Sequence, residues 1–538
     1  MARAPWWQSA IIYQIYPRSF QDSGQDGVGD LLGITRRLPY FVELGIDAIW
    51  ISPIFPSPMA DFGYDISDYT GIAPLFGTLK QFDALLAAAH ALGIRVLLDL
   101  VPNHTSDRHP WFIESRASRS NAKREWYIWR DPAPDGGPPN NWLSEFGGSA
   151  WTLEPDTGQY YYHAFLAAQP DLNWRNAEVR AAIYDVMRFW LRRGVDGFRV
   201  DVIWHLLKDD AFRDNPENPH FKPGQPPHRR VIPLYSADLP GVHTIVAGLR
   251  AVIDEFPDRL LIGEIYLPIE RLVAYYGEDL RGLHLPFNFA LLETQWNARA
   301  VAQLVSEYEA ALPPGGWPNW VLGNHDRPRI ASRVGRAQAR VAAMLLLTLR
   351  GTPTLYYGDE IGMIQVEIPP ERICDPFEKN VPGLGLGRDG ARTPMQWDSE
   401  PHAGFSHAAP WLPLALDAAV WNVANERDDA ASPFNLYRNL IAVRRAHPAL
   451  QTGSYRPIEA RGDLMLFVRE AAEERVLVAL NFGSARFPIL GNGLQGCVLL
   501  STGHNRRGEI IKDEIVLNPN EGLLIELMGD AEIPAFVG

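Results

Sequence analysis

The chain has 538 residues, 46% hydrophobic and 21% charged, which excludes a disordered polyelectrolyte and leaves ample length to bury several cores. At about 150 residues per domain that length suggests three to four domains, or one large α/β barrel with attachments. Lys and Arg number 50 against 64 Asp and Glu, a net charge of −14 with no basic run, which argues against nucleic acid as a partner. The N-terminal stretch MARAPWWQSAIIYQIYPRSF lacks the apolar core of a secretory leader. The longest uncharged apolar run, VAAMLLLTL at 341–349, is far shorter than the ~20 residues that cross a bilayer. The expectation is a cytoplasmic protein without a membrane partner. Cys374 and Cys497 allow at most one disulfide. The 17 Trp are a high share, and flat aromatic faces suit sugar rings as well as cores.

Along the chain, GIDAIWIS at 45–52 reads as a buried strand. TLKQFDALLAAAHALG at 78–93 places Phe82, Leu85, Leu86, Ala89 and Leu92 on one helical face and stops at Gly93, and the strand IRVLLDL at 94–100 follows. Residues 105–172, rich in Trp, Pro, Gly and Asn, break the rhythm and predict an inserted, loop-rich subdomain. Residues 177–193 put Val179, Ile183, Val186, Met187 and Trp190 on one stripe before Gly194, and GFRVDV at 197–202 is the next strand. RLLIGEI at 259–265, NWVLGNHD at 319–326 and TPTLYYGDE at 352–360 continue the series, and 361–415 is a second irregular stretch. Six strands alternating with helices, several ending in an acid, predict a (β/α)8 TIM barrel of class α/β with its site at the C-terminal strand ends. The expected division is barrel at 1–104, inserted subdomain at 105–172, barrel at 173–455, and a C-terminal antiparallel β-sandwich domain at 456–538.

Four acids fall at predicted strand ends: Asp99, Asp201, Glu264 and Asp326. A lone Asp there commonly caps the next helix. These four have polar company: Asn103 and His104 after Asp99, Arg199 before Asp201, and Asn324 and His325 before Asp326. Arg199 and Asp201, two apart, share a strand face, and an Arg beside a carboxylate keeps it ionised as a nucleophile must be. A second carboxylic acid with a raised pKa could protonate a leaving group, and two such carboxyls at a barrel mouth are the equipment of glycoside hydrolysis.

DLVPNH at 99–104, GFRVDV at 197–202, LIGEI at 261–265 and VLGNHD at 321–326 together resemble, in order and spacing, the four short motifs of the α-amylase family, glycoside hydrolase family 13. YQIYPRSF at 13–20, DFGYD at 61–65, QPDLNW at 169–174 and ARTPMQWD at 391–398 extend the resemblance over nearly the whole chain and narrow it to the α-glucosidase and oligo-1,6-glucosidase branch. The resemblance implies that Asp201 is the nucleophile of a covalent glucosyl-enzyme, Glu264 the general acid/base, and Asp326 the third acid that stabilises the transition state. It also implies that Arg199 holds the nucleophile, that His104 and His325 hydrogen-bond the sugar in subsite −1, that Asp61 and Arg392 close around its non-reducing end, and that Tyr64 is the platform beneath it. Phe146 and Phe165 fit as pocket walls from the inserted subdomain. Asp99 fits a structural role. Glu270, in LPIERL, lies past the strand end, so Glu264 is preferred over it. Asn103-His-Thr has the form of a glycosylation sequon inside a site motif and is read as a chance match.

DSGQDGVGD at 22–30 resembles a Ca²⁺- or Mg²⁺-binding loop of this branch with EF-hand spacing: Asp22 first, Asp26 fifth, the Val28 carbonyl seventh and Asp30 ninth. Gly24 offers no ligand at the third place. The expectation is a structural ion and no cofactor for catalysis. The expected activity is that of an exo-acting retaining α-glucosidase on small α-glucosides such as maltose, isomaltose and sucrose-like oligosaccharides, with some transglucosylation. A transglucosylase or sugar isomerase, or a phosphosugar hydrolase, is the alternative on the same fold. In this branch the residue after the nucleophile resembles a linkage selector, Val for α-1,6 and Thr or Ala for α-1,4, and Val202 implies activity on isomaltose.

Overall fold

Short aliphatic runs with amphipathic helices between them bury both strand faces only when they lie parallel under a helical layer. A computed structural model, which describes residues 4–529, shows this arrangement. The strands in chain order begin with β1 (Ile12–Ile15), β2 (Ala48–Ile51) and β3 (Arg95–Leu100), then β4 (Trp129–Arg130), β5 (Trp151–Glu154) and β6 (Gln159–Tyr162) in the inserted segment. They continue with β7 (Gly197–Val200), β8 (Leu260–Gly263), β9 (Leu285–Pro286), β10 (Asn319–Val321) and β11 (Thr352–Tyr356). Eight of them form one parallel sheet in the order β10-β11-β1-β2-β3-β7-β8-β9. A parallel bridge from Asn288 to Trp320 joins β9 to β10 and closes the barrel. The six expected strands are all present. β1 and β9 complete the eight; β9 is two residues long, too short for any periodicity to show.

Residue alternation explains the barrel's two cores. Ile49 and Ile51 pack outward against the helices, whereas Ala48 and Trp50 join Ile12, Leu97, Ile262 and Val321 in a separate interior layer. The helix Leu79–Ala91 is capped by Thr78, whose side chain accepts from Gln81 N–H, and buries Phe82, Leu85, Leu86 and Ala89. Leu92 is half exposed, because the chain has already left the helix there. The helix Ala177–Arg193 buries all five residues of its expected stripe and ends at Gly194 with φ 106°.

The inserted segment is more ordered than its composition implies. It holds the helix Pro110–Ala117 and the antiparallel sheet β4-β6-β5 around an aromatic cluster of Trp142, Trp151 and Tyr162. At the C-terminal end, β12 (Ser454–Arg461), β13 (Leu464–Ala471), β14 (Glu474–Asn481), β15 (Phe487–Ser501), β16 (Ile510–Leu517) and β17 (Gly522–Leu527) hydrogen-bond into one antiparallel sheet, order β12-β13-β14-β17-β15-β16. Met465, Phe467, Val476 and Val478 face the barrel helices, and Leu464, Leu466, Leu477 and Ala479 face a second core shared with Ile489, Ile511 and Ile515. The apolar run at 341–349 lies in and just beyond the helix Arg336–Thr348, buried between barrel and sheet. Among the described residues no helix is long and apolar enough to cross a membrane. Cys374 and Cys497 are both free thiols, and residues 530–538 of the expected last domain lie outside the described residues.

Candidate active site

Every candidate acid stands at or just beyond the C-terminal end of a barrel strand, the end at which barrel sites are built. Asp99 lies in β3, Asp201 follows β7, Glu264 follows β8 and Asp326 lies beyond β10. They meet below a cavity of about 890 Å³ lined by Asp201, Glu264, Asp326, Asp61, Tyr64, His104, His325, Phe146 and Phe165. Arg199 and Arg392 lie behind that lining and hold the acids from below.

Arg199 is the hub of the floor. Its Nη1 donates to Asp99 Oδ1 at 2.8 Å and to Asp201 Oδ1 at 2.6 Å, and its Nη2 stands 2.8 Å from Glu264 Oε2. Three buried carboxyls thus share one guanidinium. Burial and the nearby Glu264 push Asp201 up from the usual carboxylate range, against the pull of Arg199. Asp99, which also accepts from Trp50 Nε1 and the Tyr64 hydroxyl, is pushed up to about 6 by burial, again against Arg199. The cluster therefore holds a proton more tightly than isolated acids would. Asp326 has the opposite setting. Burial disfavours its charge, but the facing guanidiniums of Arg388 and Arg392 outweigh that and keep it well below the usual range.

His104 and His325 are buried neutral imidazoles, lowered by burial to about 4 and about 3. His325 bonds Gln14 through Nδ1 and the Tyr64 hydroxyl through Nε2, each at 2.8 Å, with the Tyr64 ring stacked on it at 5.4 Å. His104 bonds the Tyr64 carbonyl and Gln169, and Phe165 packs against it at 5.2 Å. Asn103 is fully buried and donates to Asp171, so it offers no surface for a glycan. Glu270 is exposed in the helix Ile269–Leu272, away from the cavity lining.

The structure departs from one expected pairing. Asp61 does not pair with Arg392; its partner is Arg388, at 2.7 Å. Arg392 donates instead to Asp326 at 2.8 Å and to the His325 carbonyl. Sequence reasoning had missed Arg388, although GLGRDGARTPMQWD carries both arginines, and it had missed Asp375 and the segment 215–238, which lines the outer cavity. Tryptophan also serves mostly as core: Trp50, Trp142, Trp174, Trp190 and Trp320 are fully buried, and Trp204 lines the cavity.

In the 22–30 loop the carboxylates of Asp22 and Asp30 both approach Gly24, and each acid also meets donors of the loop and its neighbours. Asp22 accepts N–H bonds from Gly24, Gln25 and Gly27 and the Ser406 hydroxyl. Asp30 accepts from Ser23 and caps the following helix through Gly33 N–H, and Asp26 accepts from Val28 N–H. Among the described residues, the acidic and imidazole groups that converge closely enough for a shared ion are His447, Glu474 and Glu526, elsewhere in the fold.

The sequence profile of the alpha amylase catalytic domain matches residues 14–453. The chain belongs to the α-amylase family. It is a glycoside hydrolase. A probable alpha-glucosidase of Rhizobium meliloti (strain 1021) is 46% identical over 492 residues, covering 88% of this chain and 89% of that protein. An oligo-1,6-glucosidase of Heyndrickxia coagulans is 40% identical over 519 residues, covering 88% and 92%. The crystal structure of the alpha-glucosyl transfer enzyme XgtA superposes with a TM-score of 0.92 at 41% identity, covering 98% of this chain and all of that one.

Proposed function

We propose that the enzyme is an exo-acting, retaining α-glucosidase of short α-glucosides. The observation that carries this reading is the single guanidinium of Arg199 joining Asp201 and Glu264. A shared guanidinium keeps the two carboxyls close, which favours the roughly 5–5.5 Å spacing of retaining pairs over the ~6.5–9.5 Å of inverting ones. Arg199 occupies Asp201 Oδ1, leaving Oδ2 to attack the anomeric carbon as the glycosidic bond breaks. Glu264 gives its proton to the departing oxygen, then takes one from the water that frees the glucosyl unit. Asp326, kept ionised by its arginines, and the neutral histidines accept and donate hydrogen bonds to the sugar hydroxyls as charge develops on the ring.

Exo action is supported by the contact of Arg388 with Asp61 at 2.7 Å and with the Phe146 ring at 5.0 Å, which ties opposite walls of the cavity together beside Asp326. Two arginines of the cavity wall are ion-paired, Arg271 with Asp238 at 2.6 Å and Arg327 with Glu293 at 2.8 Å, and Arg229 lines the same wall. Transglucosylation is the second reading, favoured by the likeness to an alpha-glucosyl transfer enzyme, and it uses the same intermediate with a sugar hydroxyl in place of water. A panel of maltose, isomaltose, sucrose, trehalose and starch tests the reading. Turnover of the disaccharides faster than starch, lost nearly completely in Asp201→Asn, is expected; faster cleavage inside starch would refute exo action.

A further inference from the structure

Asp375 is fully buried and lies outside the cavity lining, yet most of the Arg388 side chain is tied to it. Its Oδ1 accepts from Arg388 Nη2 at 2.6 Å and from Nε at 3.1 Å, and its Oδ2 accepts from Nε at 3.0 Å and from the Arg388 backbone N–H at 2.6 Å. Asp389 returns the contact by accepting from the N–H groups of Cys374 and Asp375 at 2.7 and 2.8 Å. These bonds close residues 375–388 into a loop, and Glu378 braces its interior by accepting from Gly383 and Gly387 N–H. On the cavity side, Arg388 reaches Asp61 at 2.7 Å and Asp326 at 3.3 Å and lies over the Phe146 ring at 5.0 Å.

One guanidinium therefore spans three carboxyls, two facing the cavity and one behind it. Without the rear anchor, Asp61 and Asp326 would draw the cation forward into the space that sugar hydroxyls need. A flexible ammonium could not hold all three directions, whereas a planar fork can. We propose that Asp375 is a positioning residue for recognition of the terminal sugar: by chelating Arg388 from behind, it fixes the guanidinium across Asp61 and Asp326. This rests on the reading that the cavity takes a terminal glucosyl unit.

The test is a double-mutant cycle on the full-length enzyme with Asp375→Asn, Arg388→Gln and the double variant, measuring kcat and KM on maltose and isomaltose and competitive inhibition by glucose. Asp375→Asn should raise KM and weaken glucose inhibition by about tenfold or more, the scale of one lost charged hydrogen bond, with a smaller change in kcat. Arg388→Gln should do the same, and the double variant should be no worse than Arg388→Gln alone. Arg388→Lys keeps a cation in place and covers the case in which Asp375→Asn does not accumulate; it too should raise KM. Unchanged KM in either Asp375→Asn or Arg388→Lys, or effects that multiply in the double variant while the wild type turns over both sugars, overturns the inference alone. A wild type that hydrolyses neither sugar overturns the reading of the cavity, and the inference with it.

Discussion

Val202 shows how much one residue can carry. Its φ of 37° and ψ of 45° lie in the left-handed region, where a β-branched side chain is strained by about 1–3 kcal/mol. That conformation aims its N–H at Glu264 Oε2, 2.9 Å away, while its side chain lines the cavity beside the nucleophile. Val202→Thr keeps the N–H and the shape but adds a hydroxyl, so it isolates the side chain's part in linkage choice. The ratio of kcat/KM on isomaltose to that on maltose should fall by roughly tenfold, within the ~1–3 kcal/mol that such a group discriminates. An unchanged ratio would remove Val202 from the specificity argument. The strand-end acids were legible in the sequence because a two-residue period and a strand boundary fix where they point. The partner of Asp61 was not, since residues 61 and 388 meet only after the barrel closes and two arginines compete in one short motif.

At the scale of elements, two local devices give tests. The 22–30 loop satisfies its carboxylates with N–H and hydroxyl donors, so a chelator should leave Tm unchanged; a clear fall in Tm with EDTA, restored by Ca²⁺ or Mg²⁺, would show that the loop holds an ion. In the helix Val423–Asp428, burial pushes Glu426 up to about 8, and its Oε2 accepts from Phe434 N–H at 3.1 Å. A carboxyl with a raised folded pKa favours the fold while protonated and loses that contribution as pH rises from the unfolded value of about 4.3 through 8. Glu426→Gln should therefore flatten the decline of Tm between about pH 5 and 8; a decline as steep as that of the wild type would show that other groups set it. The long amphipathic helices were readable for the same reason they are stable, a continuous apolar stripe between two caps. β9 was unreadable because its position is dictated by closing the ring between β8 and β10 rather than by its own residues.

Across the whole molecule, two buried arginines with no ion-paired carboxylate among the described residues brace the seam between barrel and C-terminal sheet, Arg469 from β13 and Arg444 from the helix Pro433–Ala446. Arg469 donates to the carbonyls of Thr348, Leu450, Gly453 and Ser454, and Arg444 donates to those of Leu347, Leu349 and Gly351. Both grip the chain where the helix Arg336–Thr348 turns into β11. Arg469→Ala would leave those carbonyls unpaired and open a cavity, costing on the order of 2–5 kcal/mol. Tm should drop by several degrees while kcat at 25 °C stays within about twofold of wild type; an unchanged Tm would show that the grip contributes nothing. The central claim concerns chemistry at the other end of the barrel, and the anomeric form of the first glucose released tests it most directly. Proton NMR of maltose or isomaltose hydrolysis, recorded before mutarotation, should show α-glucose appearing first, and β-glucose first would contradict a covalent intermediate on Asp201.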